Sequence, residues 1–343
     1  DLNVYMFDES IQCVLDDHLI DTGNNMMDHV RSKWPDALCD IRIGRGWKSV
    51  DIQNSSGLHK TFKNSSFYIY FGVQLIRGTD MLNVWDGHTS NKIFGNEQKQ
   101  KILQTLLTTL DRSQKIVKAP TGDIPVIFTP RGVGATLINP LLSGFDGRNI
   151  ISGSSPLIGK EGDLTFDNRI SLYDDPLTKH ASMSRPFDDE GIVSRKVWLI
   201  QNGMVGQPLF DLYTASQAGV RSTGSAHRDL SSVPRPGPSV LHLAKGTDDD
   251  SSLFDGVKEG LVVEGLLGAG QGNELGGDFR ANVSLGYKVE NGEIVGRVKD
   301  TMISGNVYNL LNSVEAIGSS TEWVFGSLKL PSVRCRGVEV AAS

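Results

Sequence analysis

The chain has 343 residues, of which 38% are hydrophobic and 22% charged, and its formal net charge is −6. That length favours two domains over one, and the apolar share is enough for sizeable cores. No Lys/Arg block supplies the concentrated positive face of a nucleic-acid binder, and no apolar run nears the roughly 18–20 residues of a membrane span, so both classes are disfavoured.

Three scattered cysteines, Cys13, Cys39 and Cys335, suit a reducing cytoplasm better than a disulfide framework. No charged-then-apolar signal opens the chain. Its first residue is Asp1 rather than Met, so a processed or truncated start is expected.

In chain order, "DTGNNMMDHVRSKWPDA" predicts an amphipathic helix capped by Asp21 or Thr22, with Met26, Met27, Val30 and Trp34 near one face and Pro35 as its stop. "CDIRIGRGWKSVDIQNSSG" reads as a β-hairpin joined at Gly44–Gly46. In the next stretch Phe67, Ile69, Phe71 and Val73 alternate as in a strand. "EQKQKILQTLLTTLDRSQKIV" is an amphipathic helix whose stripe is Ile102, Leu103, Leu106, Leu107 and Leu110. A boundary is placed near residue 120, giving an N-terminal α/β-type region, 1–120, and a C-terminal domain, 121–343. Within the second part, "IPVIF" is a short buried strand and "RGVGATLINPLLSGF" a short helix interrupted at Pro140. Strand candidates then recur, with hairpins turning at Asn202–Gly203 and Asn291–Gly292. The second domain is therefore mainly antiparallel β, and the fold class α+β. "SGSSPLIGKEG" and "HRDLSSVPRPGPS" read as long loops.

The densest glycine run, "GLLGAGQGNELGGDFRANVSLGYKVENGEI", suggests a phosphate loop. Neither register from Gly268 or Gly270 completes G-x-G-x-x-G, and the stretch after the glycines alternates like a strand, leaving no helix N-terminus to face a phosphate. A close-packed crossing loop between strands is the preferred reading; a loop holding an extended peptide by its backbone groups is the other. The seven histidines show no metal-ligand spacing. His242 reads as a strand residue, whereas His227, in a loop, is either functional or solvated. Asp188, Asp189 and Glu190 could do acid–base work or hold a cation, but a turn whose side chains cap backbone N–H groups is favoured. "GTDDDSS", with Asp248 to Asp250, reads as a solvated loop or a helix cap.

Several segments together resemble the TldD/PmbA family. "RPFDDEGIVSRKVWLIQNGMVGQPLFDLYTASQAGVRSTGSAHR" is similar to its F-D-x-E-G strand, N-G turn and S-T-G run. "GAGQGNELGGDF", "VENGEI" and "ISGNVYNLL" are similar to its glycine loop, hairpin and I-x-G-N element, and "FGSLKLPSVRCRGVEV" to its last strand. The resemblance covers nearly the whole chain, although members carry a further βα segment before the position of Asp1. It implies a metalloprotease whose H-E-x-x-x-H helix and late cysteine hold zinc. Here Asn139 and Gly144 stand at the histidines, Pro140 at the Glu and Phe325 at the cysteine. The resemblance is therefore to the PmbA (TldE) branch: no catalytic residue and no metal or other cofactor in this chain, with zinc in a TldD-like partner. It further implies a homo- or heterodimer acting on unfolded or leader peptides, with Gly270, Gly272, Gly277 and Asp278 as peptide-binding candidates. The rival readings are a stand-alone hydrolase using Asp188, Asp189, Glu190 and His227, and a homodimeric binding protein. The family's label "modulator of DNA gyrase" gains no support from an acidic composition.

Overall fold

The computed structural model describes residues 5–270 and 272–342. They fall into two compact units, one running to Gln114 and taking back Thr178–Ser184, the other comprising Lys115–Leu177 and Arg185 onward. The returning segment is tied into the first unit by Asn91, whose N–H donates to the His180 carbonyl (3.1 Å) and whose Nδ2 donates to that of Ala181 (2.7 Å).

The first unit has helix α1 (Asp16–Lys33), strands β1 (Leu38–Gln53), β2 (His59–Arg77) and β3 (Asp80–Ser90), and helix α2 (Asn96–Arg112). The three strands form an antiparallel meander in the order β1-β2-β3. Odd-numbered residues of β2, Phe67 through Leu75, are at most 5% exposed, because alternate side chains of a strand share one face. Met26 and Val30 of α1 and Ile102, Leu103, Leu106 and Leu110 of α2 are buried as well; each such side chain contributes roughly 2 kcal/mol.

Two expectations fail here. Helix α1 begins at Asp16 with Leu15 at its N-cap and no side-chain cap, so Asp21 and Thr22 lie inside it. Gly44–Gly46 is no turn either: β1 runs straight through it and reverses only at Asn54–Gly57, where Asn54 Oδ1 accepts from the N–H groups of Ser56 and Leu58. Gly44 stands opposite Tyr68, and a Cβ there would come 2.4 Å from the Tyr68 hydroxyl oxygen.

The second unit opens with β4 (Gly122–Phe128) and a helical run made of α3 (Pro130–Val133), a π-helical turn (Gly134–Ile138) and α4 (Asn139–Phe145). Next come α5 (Gly147–Ile151), β5 (Leu172–Asp174), β6 (Val197–Gln201), β7 (Met204–Val205), α6 (Leu212–Ala218), β8 (Ala226–His227), β9 (Arg235–Pro236) and β10 (Leu241–Leu243). The last part holds β11 (Glu259–Leu267), β12 (Asp278–Glu290), β13 (Glu293–Arg297), β14 (Thr301–Asn306), α7 (Val307–Asn312), β15 (Val314–Ile317), β16 (Glu322–Val324), β17 (Leu328–Leu330) and β18 (Val333–Ala342).

One sheet runs β11-β4-β18-β14-β12 and closes on itself, because β12 also pairs with β11; β13 extends β12 and β15 pairs with β18. The second sheet has the order β16-β17-β10-β5-β6-β7. Pairing is antiparallel except for β11–β4 and β10–β17, so the fold is α+β with a β-rich C-terminal part. Asn202–Gly203 and Asn291–Gly292 turn their hairpins with positive φ at both residues (49° and 79°; 51° and 82°), as a type I′ turn requires. A single core joins both sheets and the helical run, including Val126, Phe128, Phe145, Leu241, Phe279 and Val338.

The helical run passes through Pro140 instead of breaking there. Proline has no N–H for the carbonyl four residues back and its ring crowds that carbonyl. The wider π turn just before it relieves both problems. No helix among the described residues is long and apolar enough to cross a membrane.

Candidate functional site

The segment that the resemblance sets against the family's metal motif, with Asn139, Pro140 and Gly144, lies on this helical run. Thr129 caps its start, its Oγ1 accepting from the Gly132 N–H, and Pro130 follows at the first turn. Packed against α4 is the short 3-10 turn Glu274–Gly276 of the glycine loop. That loop joins β11 to β12, which are neighbouring antiparallel strands, so it reverses the chain rather than crossing the sheet. A strand comes after it, which removes the geometry a nucleotide-binding loop needs.

Asn306 fastens the loop. It caps α7 by accepting from the N–H groups of Tyr308 and Asn309, while its Nδ2 donates to the Gly276 carbonyl and to Asp278 Oδ1, both at 2.8 Å. The Val307 N–H donates to the Gly277 carbonyl, also at 2.8 Å. This clamp lays the Tyr308 ring between two glycines. A Cβ on Gly277 would come 2.4 Å from the ring, and one on Gly144 would come 2.3 Å from the Tyr308 hydroxyl oxygen. That hydroxyl is buried without a hydrogen-bond partner among the described residues, and burial pushes its pKa up to about 12.

All four sequence-predicted peptide-binding candidates therefore lie in one place. Gly277 has φ +86°, which favours glycine in any case. A Cβ on Gly272 would approach the Asp278 carbonyl oxygen to 2.7 Å, so backbone does meet backbone there. Gly270 bridges to Arg280, and Asp278 is exposed apart from its bond to Asn306.

The residues that the resemblance sets at the metal-motif positions do not suit zinc, which favours His nitrogen, Cys sulfur and carboxylate oxygen. Asn139 is exposed and offers a carboxamide, Pro140 is buried and offers nothing, and the space beside Gly144 is filled by Tyr308. Phe325 sits half-exposed in the β16–β17 turn at φ 53°. Among the described residues, no group of three or more His, Cys, Asp or Glu side chains could hold a metal ion.

The acidic cluster is a turn, as the favoured reading has it. Asp188 is fully buried; Oδ1 accepts from the N–H groups of Glu190 and Ile192, and Oδ2 from that of Ala226. Asp189 accepts from the Arg228 N–H and Glu190 from that of Leu212. His227 is neither solvated nor a free base. Its Nε2 lies 2.8 Å from the Arg185 guanidinium, and burial together with that positive charge lowers its pKa to about 4. Nor is "GTDDDSS" merely solvated: Asp248 Oδ2 accepts from the Ile317 N–H and Asp250 from the Ser320 hydroxyl.

Sequence reasoning missed Asn306 and Tyr308. An Asn ahead of an apolar run is a legible cap signal, but nothing local shows where the ring of Tyr308 goes.

Residues 121–342 match the model of the PmbA/TldA metallopeptidase C-terminal domain. An uncharacterized protein of Methanocaldococcus jannaschii is 29% identical over 74% of this chain and 60% of its own length. A zinc metalloprotease TldD homolog of Saccharolobus solfataricus is 28% identical over 71% of this chain and 53% of its own. Metalloprotease PmbA of Escherichia coli O157:H7 is 27% identical over 64% and 47%. The chain thus spans about half to three-fifths of these relatives. Among solved structures, TldE from Thermococcus kodakarensis superposes with a TM-score of 0.85 at 23% identity, over 98% of this chain and 76% of that one. A putative modulator of DNA gyrase from Bacteroides thetaiotaomicron gives 0.86 at 23% identity, over 100% and 75%. With more than half of its length matched by the family model, the chain belongs to the PmbA/TldD family.

Proposed function

We propose that this chain is a PmbA/TldE-like, non-catalytic subunit of a TldD–PmbA-type metalloprotease complex that acts on unfolded or leader peptides. The observation that carries the reading is the Tyr308 hydroxyl seated over Gly144, where the resemblance calls for a histidine. A side chain at that position has no room, and Asn139 and Pro140 supply no replacement for a zinc ligand and a general base. Zinc and the cleaving chemistry then belong to a TldD-like partner. In this assembly the glycine loop with Gly270, Gly272, Gly277 and Asp278 offers backbone groups to an extended peptide. The three free cysteines support a reducing, cytoplasmic location.

The test is zinc analysis combined with co-purification. The chain is expressed alone and with a TldD-like chain, each preparation being assayed for zinc and for cleavage of an unfolded peptide. We expect zinc and activity only in the mixed complex. Stoichiometric zinc on this chain alone overturns the reading, as does a homodimer that ignores the co-expressed partner.

A further inference from the structure

The second sheet of the C-terminal unit carries a feature with no part in that subunit role. Cross-strand register places Trp198, Tyr173, His242, Lys329 and Trp323 side by side across β6, β5, β10, β17 and β16. Side chains in one lateral row share a face. The neighbouring residues Val197, Leu199, Leu172, Leu241, Leu243, Val324 and Leu330 point the other way and are buried in the core. The helical run packs on that core face, since a Cβ on Gly134 would lie 3.4 Å from Leu330 and from Val324. The aromatic row is thus on the opposite face from the helical run.

The rings stand against one another. Tyr173 and His242 stack at 4.8 Å with their planes 5° apart, Trp198 lies 4.7 Å from Tyr173, and Trp323 meets His242 at 5.9 Å. Lysines cover further ring faces: Lys196 Nζ is 3.5 Å from the Tyr173 centroid and 4.0 Å from that of Trp198, and Lys329 Nζ is 5.6 Å from that of Trp323. Beside the row is a groove of about 590 Å³, lined among others by Tyr173, His242, Lys245, Ser319, Thr321 and Lys329. Among the described residues no carboxylate lines it. Asp175 is near enough to act on Tyr173 and His242, and Asp250 is engaged with Ser320. None of Lys196, Lys245 and Lys329 is paired with a carboxylate among the described residues.

Two lysines in the groove wall, Lys245 and Lys329, and a third, Lys196, over the adjoining rings, none of them ion-paired, in a chain of net charge −6, mark a place for negative charge. We propose that this groove binds an extended peptide segment rich in Asp or Glu. The ammonium groups of Lys245 and Lys329 pair with its carboxylates, the Ser319 and Thr321 hydroxyls add hydrogen bonds, and the ring edges pack against its aliphatic stems. Single-stranded nucleic acid, the other polyanion that meets aromatic rows, needs open ring faces on which bases stack. Here His242 stacks on the Tyr173 ring and the Lys196 ammonium lies 3.5 Å from its centroid, so the Tyr173 ring is already engaged. Shielding the lysines with salt weakens such pairing.

The proposal is independent of the partner-subunit reading, and its test uses the full chain alone. A fluorescein-labelled decapeptide of alternating Glu and Gly is titrated by fluorescence anisotropy, with the matching Lys/Gly decapeptide and oligothymidylate as controls. The expected result is binding of the acidic peptide only, weakening as NaCl rises. The K245Q/K329Q double variant should bind at least about tenfold more weakly at an unchanged melting temperature, and K245R/K329R should retain binding. Three results overturn the proposal: no binding of the acidic peptide, binding unaffected by K245Q/K329Q, or oligothymidylate bound more tightly than the peptide. Complete displacement by millimolar inorganic phosphate also overturns it, in favour of a small-anion site.

Discussion

Replacing Gly277 by alanine tests the packing at the glycine loop. The backbone there has φ +86°, and the added Cβ would meet Tyr308 ring carbons at 2.4 and 2.5 Å and Val307 Cγ1 at 3.1 Å. An L-residue held in the left-handed region costs about 1–2 kcal/mol, and forcing a methyl into a filled site costs about 1–3 kcal/mol more. The ring has little room to retreat, because its hydroxyl already abuts Gly144 and the ring stacks near Phe166 at 6.2 Å. Gly277→Ala should therefore destabilise the C-terminal unit by roughly 2–5 kcal/mol. In a Tyr308→Ala background the clash with the ring vanishes, leaving the backbone part and the tight contact with Val307 Cγ1. A double-mutant cycle should then give a coupling of about 1–3 kcal/mol, the range for residues in contact. Urea unfolding of the four proteins, followed by tryptophan fluorescence and far-ultraviolet circular dichroism, provides the measurement. Strict additivity of the two substitutions, or a neutral Gly277→Ala, refutes the argument that Tyr308 is wedged between two glycines.

Two further outcomes concern buried carboxylates. Asp188→Ala leaves the N–H groups of Glu190, Ile192 and Ala226 without their acceptor, and stability should fall by about 3 kcal/mol or more, read as a lower urea midpoint; a midpoint like that of the wild type contradicts the capping role. Burial pushes the Asp174 carboxyl up to about 7, against 3.8 when exposed. The folded chain thus keeps a proton that the unfolded chain has released, so this group's stabilising contribution is full below about pH 4 and is lost as pH rises through 7. Asp174→Asn cannot ionise yet keeps an oxygen for the N–H groups of Ser239 and Val240. Its urea midpoint should gain on the wild type as pH rises from about 5 to about 8, and a difference that does not vary with pH excludes this origin.

What the sequence made legible was local. Asn-Gly between alternating runs specifies its own backbone, and both such turns formed with the expected left-handed angles. The stripe from Ile102 to Leu110 and the alternation from Phe67 to Val73 likewise need only neighbours in the chain. What failed depended on distant partners. Gly44 and Gly46 look like a turn until Tyr68 is laid across the strand, and that residue belongs to the next strand. Pro140 looks like a helix stop, yet packing of Leu137, Ile138, Leu141 and Phe145 into the core keeps the run helical and shifts the strain into a π turn. At the candidate site the glycines were legible as a marker. Their reason for being glycine at 144 and 277 was not, because it lies in residue 308.

The closed β ring has a consequence for the order in which this chain can be assembled. Its strand β4 pairs with β11 and β18, and the Asp123 side chain accepts from the Gly337 N–H across 214 residues of sequence. Loop closure over such a span carries an entropic cost before any contact repays it, and folds dominated by distant pairings form slowly. During synthesis β4 emerges early but can find its β18 neighbour only after Val333–Ala342 has left the ribosome. Until then Val126 and Phe128 lie on a strand with an unfilled edge, the kind of surface that aggregates or recruits a chaperone. The C-terminal ten-residue strand is thereby the keystone of biosynthesis, and truncating it should leave the early strands made but unable to join.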